Sequence, residues 1–274
     1  MSKLREIQLV QLEIMIAFDR ICKKHDINYQ LFAGTLLGAV RHKGFIPWDD
    51  DVDVCMLRSE YDRFLEIAQQ ELDNEFFLQT TDTDPEYYHQ FARIRKNGTF
   101  FHQHKYERFD IHKGIFIDVF PLDAISDNVL ARCIQLSLIR SVRYVYIQSS
   151  ILQKRPPLDT EQNICLRFIK GLYRMLFKLP GFLPLRKLLD SLYCCNNTKN
   201  RRYVTHLTNG VQNKRWKKYR IPRDDLSESI VFEFEGHRFP GPRDADACLT
   251  QLYGNYHELP PKEQQVPNHL KAIT

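Results

Sequence analysis

The run AGTLLGAVRHKGFIPWDDDVDV, Ala33–Val54, constrains this chain more than any other stretch. It ends in Asp51-Val52-Asp53-Val54, an alternation of acid and β-branched apolar residue. Side chains on a strand alternate faces with period two, so Asp51 and Asp53 point the same way while Val52 and Val54 point into a core. Two carboxylates on one face repel unless a cation lies between them. Hard divalent ions take oxygen ligands and share them with substrate phosphates. The run therefore predicts a metal-assisted phosphoryl-transfer site. Upstream, a small-residue turn at Gly34-Thr35 follows the apolar segment Tyr29–Phe32 and leads into a short helix. Helix N-termini bind phosphate through backbone N–H groups, and glycine permits close approach. Thr35 also reads simply as a helix cap.

The rest of the chain bounds the class. Its 274 residues suffice for one large domain, or for a core with a smaller helical addition, and 43% apolar residues support a real core. A net charge of +5 suits anionic substrates or a membrane surface and does not by itself indicate a nucleic-acid binder. Seven cysteines, an odd number with no CxxC pair, argue against a disulfide framework and for a reducing cytoplasm. The start of the chain lacks the pattern of a signal peptide, and no stretch reads as a membrane span.

Periodicity gives the element order. Leu4, Ile7, Val10, Ile14, Phe18 and Ile21 form the buried stripe of a long first helix. Strands are expected at Asn28–Phe32 and Asp51–Leu57, with a helix at Thr35–Arg41 between them and another capped by Ser59. A β-rich stretch follows: Phe76–Gln79, Phe91–Arg95, Thr99–His102 and Gly114–Phe120, the last ended by Pro121. From Asp127 to Tyr203 the chain reads as helices with a basic face. Solvated helix surface explains that pattern, as does a surface that meets anionic lipid or a lipid-linked acceptor. Glu235-Gly236 signals a hairpin, and Asp244 caps a last helix, Ala245–Tyr253, stopped by Gly254. The whole reads as an α+β fold with a small mixed sheet flanked by helices and a helical insertion. Residues 1–126 form its catalytic core, 127–205 a basic helical acceptor-side region, and 206–274 a hairpin and helix that complete the core.

Other residues join the acidic pair. Asp118 stands alone inside the apolar strand Ile115–Phe120, a costly place without a partner. A metal shared with Asp51 and Asp53 supplies one, and Asp118 could also take a proton from an attacking hydroxyl; bonding to local backbone is the plain alternative. Asp49 and Asp50 shape the loop or stand behind the pair, and Asp123 reads as a turn residue. Alternation puts Arg93 and Arg95 on one strand face, where with Arg41 they could clamp phosphate oxygens; a solvated face fits equally well. His102, His104 and His112 complete no known ligand spacing and read as surface histidines.

LFAGTLLGAVRHKGFIPWDDDVDV, GIFIDVFPLD and RFPGPRDADACLTQLYGNYHELPP, in that order, closely resemble the LicD family of bacterial phosphocholine transferases, relatives of the fukutin-type phosphoribitol transferases. The resemblance runs from about Leu4 to Pro261 and is loose in the middle helices. It implies a nucleotidyltransferase fold of the polymerase β type, with Gly34-Thr35 as the turn, Asp51 and Asp53 as the paired acids and Asp118 as the third. It implies Mg²⁺ or Mn²⁺ on these acids and transfer of phosphocholine from CDP-choline to a sugar hydroxyl of teichoic acid, lipopolysaccharide or capsule, with release of CMP. Trp48, Tyr87, Tyr88 and Phe101 are candidates for an aromatic cage around the trimethylammonium. A CDP-ribitol or CDP-glycerol donor, an NTP-dependent nucleotidyltransferase and an inactive nucleotide-binding module are the rival readings. The implied location is cytoplasmic, with peripheral contact at the inner membrane face.

Overall fold

The computed structural model describes residues 2–153, 175, 185–211 and 216–267. Helix α1 (Lys3–Lys24) is capped by Ser2, whose hydroxyl accepts from the Arg5 N–H, and buries Ile7, Ile14, Phe18 and Ile21. Then come β1 (Gln30–Leu31), α2 (Ala33–His42), β2 (Asp53–Leu57), α3 (Arg58–Glu71), β3 (Phe76–Gln79), β4 (Ala92–Lys96) and β5 (Phe116–Ala124). Among the described residues α4 (Val129–Gln153) and α5 (Leu185–Cys194) come next. The remainder is β6 (Tyr203–Thr205), the single turn α6 (Leu207–Gly210), β7 (Ile221–Pro222), β8 (Ser229–Phe234), β9 (His237–Pro242) and α7 (Ala245–Tyr253).

Strands β1 to β7 form one mixed sheet in the order β1-β2-β5-β4-β3, with β6 and β7 attached to the far end of β5, and β8 and β9 form a separate ribbon. The β2–β5 pair is parallel and the others are antiparallel. Helices α1 and α3 pack together on the sheet, with Phe18 edge-on to Phe64 at 5.1 Å. The β8–β9 ribbon lies against β1 and α2, and its turn takes positive φ at Glu235 (51°) and Gly236 (76°), as the Glu-Gly signal requires. A second apolar cluster joins Leu136 and Ile139 of α4 to Leu189 and Tyr193 of α5 and to Trp216.

Four local expectations change. Strand β5 does not stop at Pro121 but continues to Ala124. The Asp118 N–H donates to Val52 O of the β2 side, so alternation turns the imide nitrogen of Pro121 to the opposite side. There the β4 pairing has ended at Val119, and that of β6 begins only at Asp123, so proline costs no ladder bond. Thr99–His102 is loop; its bonds run from Phe101 N to Lys113 O and from Ile115 N to Thr99 Oγ1, not along a ladder. Ser59 lies inside α3, which begins at Arg58. The basic face of the middle helices is partly structural. Arg143 is buried and donates to Thr208 O at 2.8 Å, Arg132 donates to Ser126 O and Arg186 pairs with Asp82. Lys154, Arg155, Arg167, Lys170, Arg174 and Lys178 lie outside the described residues. Among the described residues no helix is long and apolar enough to cross a membrane.

Candidate active site

The acidic loop is held by its backbone. On α1, Gln8 and Gln11 are one turn apart and buried. Gln8 Nε2 donates to Asp49 O at 2.9 Å, and Gln11 Nε2 to Asp50 O at 2.8 Å. From the other side Glu235, at the ribbon turn, accepts from Phe45 N and pairs with Arg5 at 2.6 Å. These two glutamines carry no motif. The sequence signal that could have revealed them is a polar pair interrupting the apolar stripe of α1.

Strand register then sets the acids in a row. Asp53 and Asp118 are partners on the parallel strands β2 and β5, and Arg93 on β4 is the partner of Asp118 on its other side. Arg93 is 2% exposed, and its Nε lies 2.6 Å from Asp118 Oδ1, with Nη2 at 3.3 Å from Oδ2. The Phe116 ring centroid is 4.0 Å from the guanidinium carbon, an added cation–π support. Asp118 thus has the partner a buried acid needs, and it is an arginine. Thr35 Oγ1 accepts from Asp53 N at 2.8 Å, tying α2 to the start of β2. Ala33 takes a left-handed φ of 45° and turns the chain so that the first turn of α2 meets the acids. Gly34 gives Asp49 room there: a Cβ would lie 2.8 Å from Asp49 Oδ2, and that carboxylate would have to turn away.

The site carries excess negative charge. One carboxylate oxygen each of Asp49, Asp50 and Asp51 lies within 4.8 Å of the other two. Burial, together with the charges of Asp51, Asp118 and Asp49, holds the Asp53 carboxyl well above the usual range, and Arg93 only partly opposes this. Burial, with the charge of Asp50, pushes Asp49 up to about 6, and a hydrogen bond from Asp51 partly offsets the rise. The acids Asp49, Asp51, Asp53, Asp118 and Glu258 outnumber the bases Arg41, Arg93 and Lys105 around the same cavity, and the clustered aspartate oxygens fit a hard divalent cation.

These groups open onto a cavity of about 780 Å³. Gly34, Arg41, Trp48, Asp49, Asp51, Asp53, Arg93 and Asp118 all line it. Arg41 also donates to Tyr256 O at 2.8 Å and so fastens the segment after α7 to the rim. Arg95 is not brought there. It is 1% exposed and spends its donors on Gln79 Oε1 and Gly114 O. Of the aromatic candidates only Trp48 lines the cavity. Tyr87 packs near Arg93, Tyr88 near Phe109, and Phe101 edge-on to Phe116. The aromatic wall is instead Phe91, Phe120, Tyr219, Tyr253 and Tyr256, with His206 tilted against Phe120 at 4.1 Å. Burial and two arginines push His206 down to about 3, so it is a neutral ring at ordinary pH.

A site of clustered acids beside a helix N-terminus, opening onto one cavity, is the arrangement of a phosphoryl-transfer class of enzyme. Comparison with known proteins agrees. The family described as LicD/FKTN/FKRP, nucleotidyltransferase domain, matches residues 26–152, which include every acid of the cavity except the late Glu258. The chain is 32% identical over 269 residues to the lipopolysaccharide cholinephosphotransferase LicD of Haemophilus influenzae, covering 98% of this chain and 96% of that one. A shorter stretch of 58 residues is 40% identical to an uncharacterized protein of Rickettsia typhi, 21% of this chain and 19% of the other. The chain belongs to the LicD family.

Proposed function

We propose that this protein transfers phosphocholine from CDP-choline to a sugar hydroxyl of a cell-surface glycan and releases CMP. The observation that carries the reading is one cavity joining the acids of β2 and β5 to an aromatic wall. A diphosphate and a quaternary ammonium need those two environments side by side. The 32% identity with a lipopolysaccharide cholinephosphotransferase supports the choline donor and the glycan acceptor. The parallel β2–β5 pair, its aligned acids and the α2 N-terminus support a nucleotidyltransferase fold of the polymerase β type.

In this reading Asp51 and Asp53, with Asp118 beside them, would hold Mg²⁺ or Mn²⁺. When bound, the ion neutralises the diphosphate and the leaving CMP. The acceptor oxygen attacks the choline-bearing phosphorus, and the bond from that phosphorus to the bridging oxygen breaks with its electron pair leaving on CMP. Arg93 occupies both oxygens of Asp118, which suits Asp118 to position Arg93 rather than to take the proton. Asp49, pushed up to about 6, is better matched to accept the hydroxyl proton near neutral pH. Gly34 and the α2 N-terminus would receive phosphate oxygens. Trp48, Tyr219 and Tyr253 would face the trimethylammonium. On this reading the enzyme works at the cytoplasmic side, where the nucleotide donor is made, and the basic 127–205 region approaches the acceptor.

The test is CMP release from CDP-choline by purified protein with Mg²⁺ or Mn²⁺, with and without a bacterial glycan extract, alongside Asp51→Asn/Asp53→Asn. Metal-dependent release lost in that variant, with choline on the glycan, is expected. Release from CDP-ribitol or CDP-glycerol alone would refute choline and keep the chemistry.

A further inference from the structure

The loop between β4 and β5 carries a second set of converging ligands, outside the acid row. Gln103 has extended backbone (φ −132°, ψ 108°), which places His102 and His104 on the same side. The 3₁₀ turn His104–Tyr106 follows, and its three-residue period sets Glu107 above His104. His102 Nε2 lies 3.2 Å from Glu107 Oε1, and His104 Nδ1 lies 2.5 Å from the same oxygen. One ligand atom of each residue is within 4.8 Å of the other two. Spacing alone gave no reason to group these residues; backbone conformation does.

The platform beneath them is packed. Tyr106, Phe109 and Ile111 are buried with Tyr87 in their own apolar cluster. The ligand side chains face outward, with His104 75% and Glu107 47% exposed at the side chain, so an ion has an open entry path. Two imidazoles and one carboxylate are a borderline donor set, which favours zinc over magnesium. Three protein ligands leave a fourth position of a tetrahedral ion to water.

We propose that His102, His104 and Glu107 form a second metal site, for a zinc-class divalent ion, on the loop that borders the cavity. Its position gives it a consequence. Lys105, between the ligands, lines the cavity, and the Tyr106 hydroxyl is hydrogen-bonded to His89 Nε2 of the cavity wall. An ion on this site fixes the segment that presents both.

Full-length protein in excess Mg²⁺ is titrated with Co²⁺, and the visible ligand-field absorbance of a nitrogen-ligated tetrahedral ion is followed. One equivalent is expected, displaced by Zn²⁺. His102→Ala/His104→Ala should weaken it by more than about tenfold, the loss that even an outer-layer change around a metal produces. Asp51→Asn/Asp53→Asn should leave it intact. No absorbance band, or a band kept by the histidine variant, would mean that only His–Glu hydrogen bonds hold the loop, and the site is then refuted. Far-UV circular dichroism checks folding, and the exposed His104→Gln serves as a second variant if the double one fails to fold.

Discussion

Strand β5 bears two acids five positions apart, and its two ends use them differently. At the first end Asp118 stands between Asp53 and Arg93 on the wall of the cavity. At the second, Asp123 is fully buried, pairs with Arg58 at 2.7 Å and accepts from Asn197 Nδ2 at 2.8 Å. Both acids have an arginine. At the second end a further acid, Asp62, lies exposed 3.9 Å from Arg58; the first has Asp49, Asp51 and Asp53 crowded beside it and open space in front of it. The lesson is that a buried ion pair marks an active site only where the charge around it does not balance. Asp123 is accordingly a structural tie between α3, β5 and the segment after α5, not the turn residue its position after Pro121 indicated.

Substitutions at the two ends should separate these roles. The largest effect is expected at the balanced end. Asp123→Ala strands a buried guanidinium and should cost about 3–5 kcal/mol of stability, read by urea denaturation, while folded protein keeps its CMP-release rate. A loss of rate without a loss of stability would break the distinction. At the unbalanced end Asp51→Asn should lower CMP release by roughly 10²–10³-fold, the scale on which one preorganised electrostatic group acts. Its melting temperature should hold or rise, because like-charge repulsion is relieved.

The excess charge also predicts a pH signature. The Asp49 carboxyl is raised from 3.8 to about 6 in the folded chain. Between those values the native state binds more protons than the unfolded one, so this group's contribution makes stability fall as pH rises. Metal-free protein should show that decline relative to Asp49→Asn, and Mg²⁺ should remove it. Identical pH profiles for the two proteins would sink the unbalanced-charge account. A smaller effect is expected from Thr35→Val, which deletes the acceptor of the Asp53 N–H and should cost about 1 kcal/mol, measurable by denaturation. The smallest is Tyr253→Leu. If that ring faces choline, KM for CDP-choline should rise about two- to fivefold, as losing a partly exposed cation–π contact implies, with kcat unchanged.

How far the chain could be read beforehand follows from the range of the interactions involved. The stripe on α1, the Asp51–Val54 alternation, the Glu235-Gly236 turn and the Asp244 cap, whose Oδ1 accepts from Ala247 N, are all set by neighbours a few residues away. Those were legible, and with them the acid pair. Arg93 and Arg95 show the limit: the same side chain, on the same face of one strand, two residues apart. Asp118 lies opposite Arg93 across β5, whereas Arg95 lies opposite Phe116, so one arginine reaches the cavity and the other serves Gln79 and Gly114 O.

The sequence by itself therefore determined the local conformations and the kind of chemistry, because period-two alternation and turn propensities act within one segment. Which carboxylates share a wall, which aromatics line it and which arginine answers them were decided by the tertiary structure. Those choices depend on strand order and register, which join residues such as Asp53, Asp118 and Tyr253 across most of the chain's length.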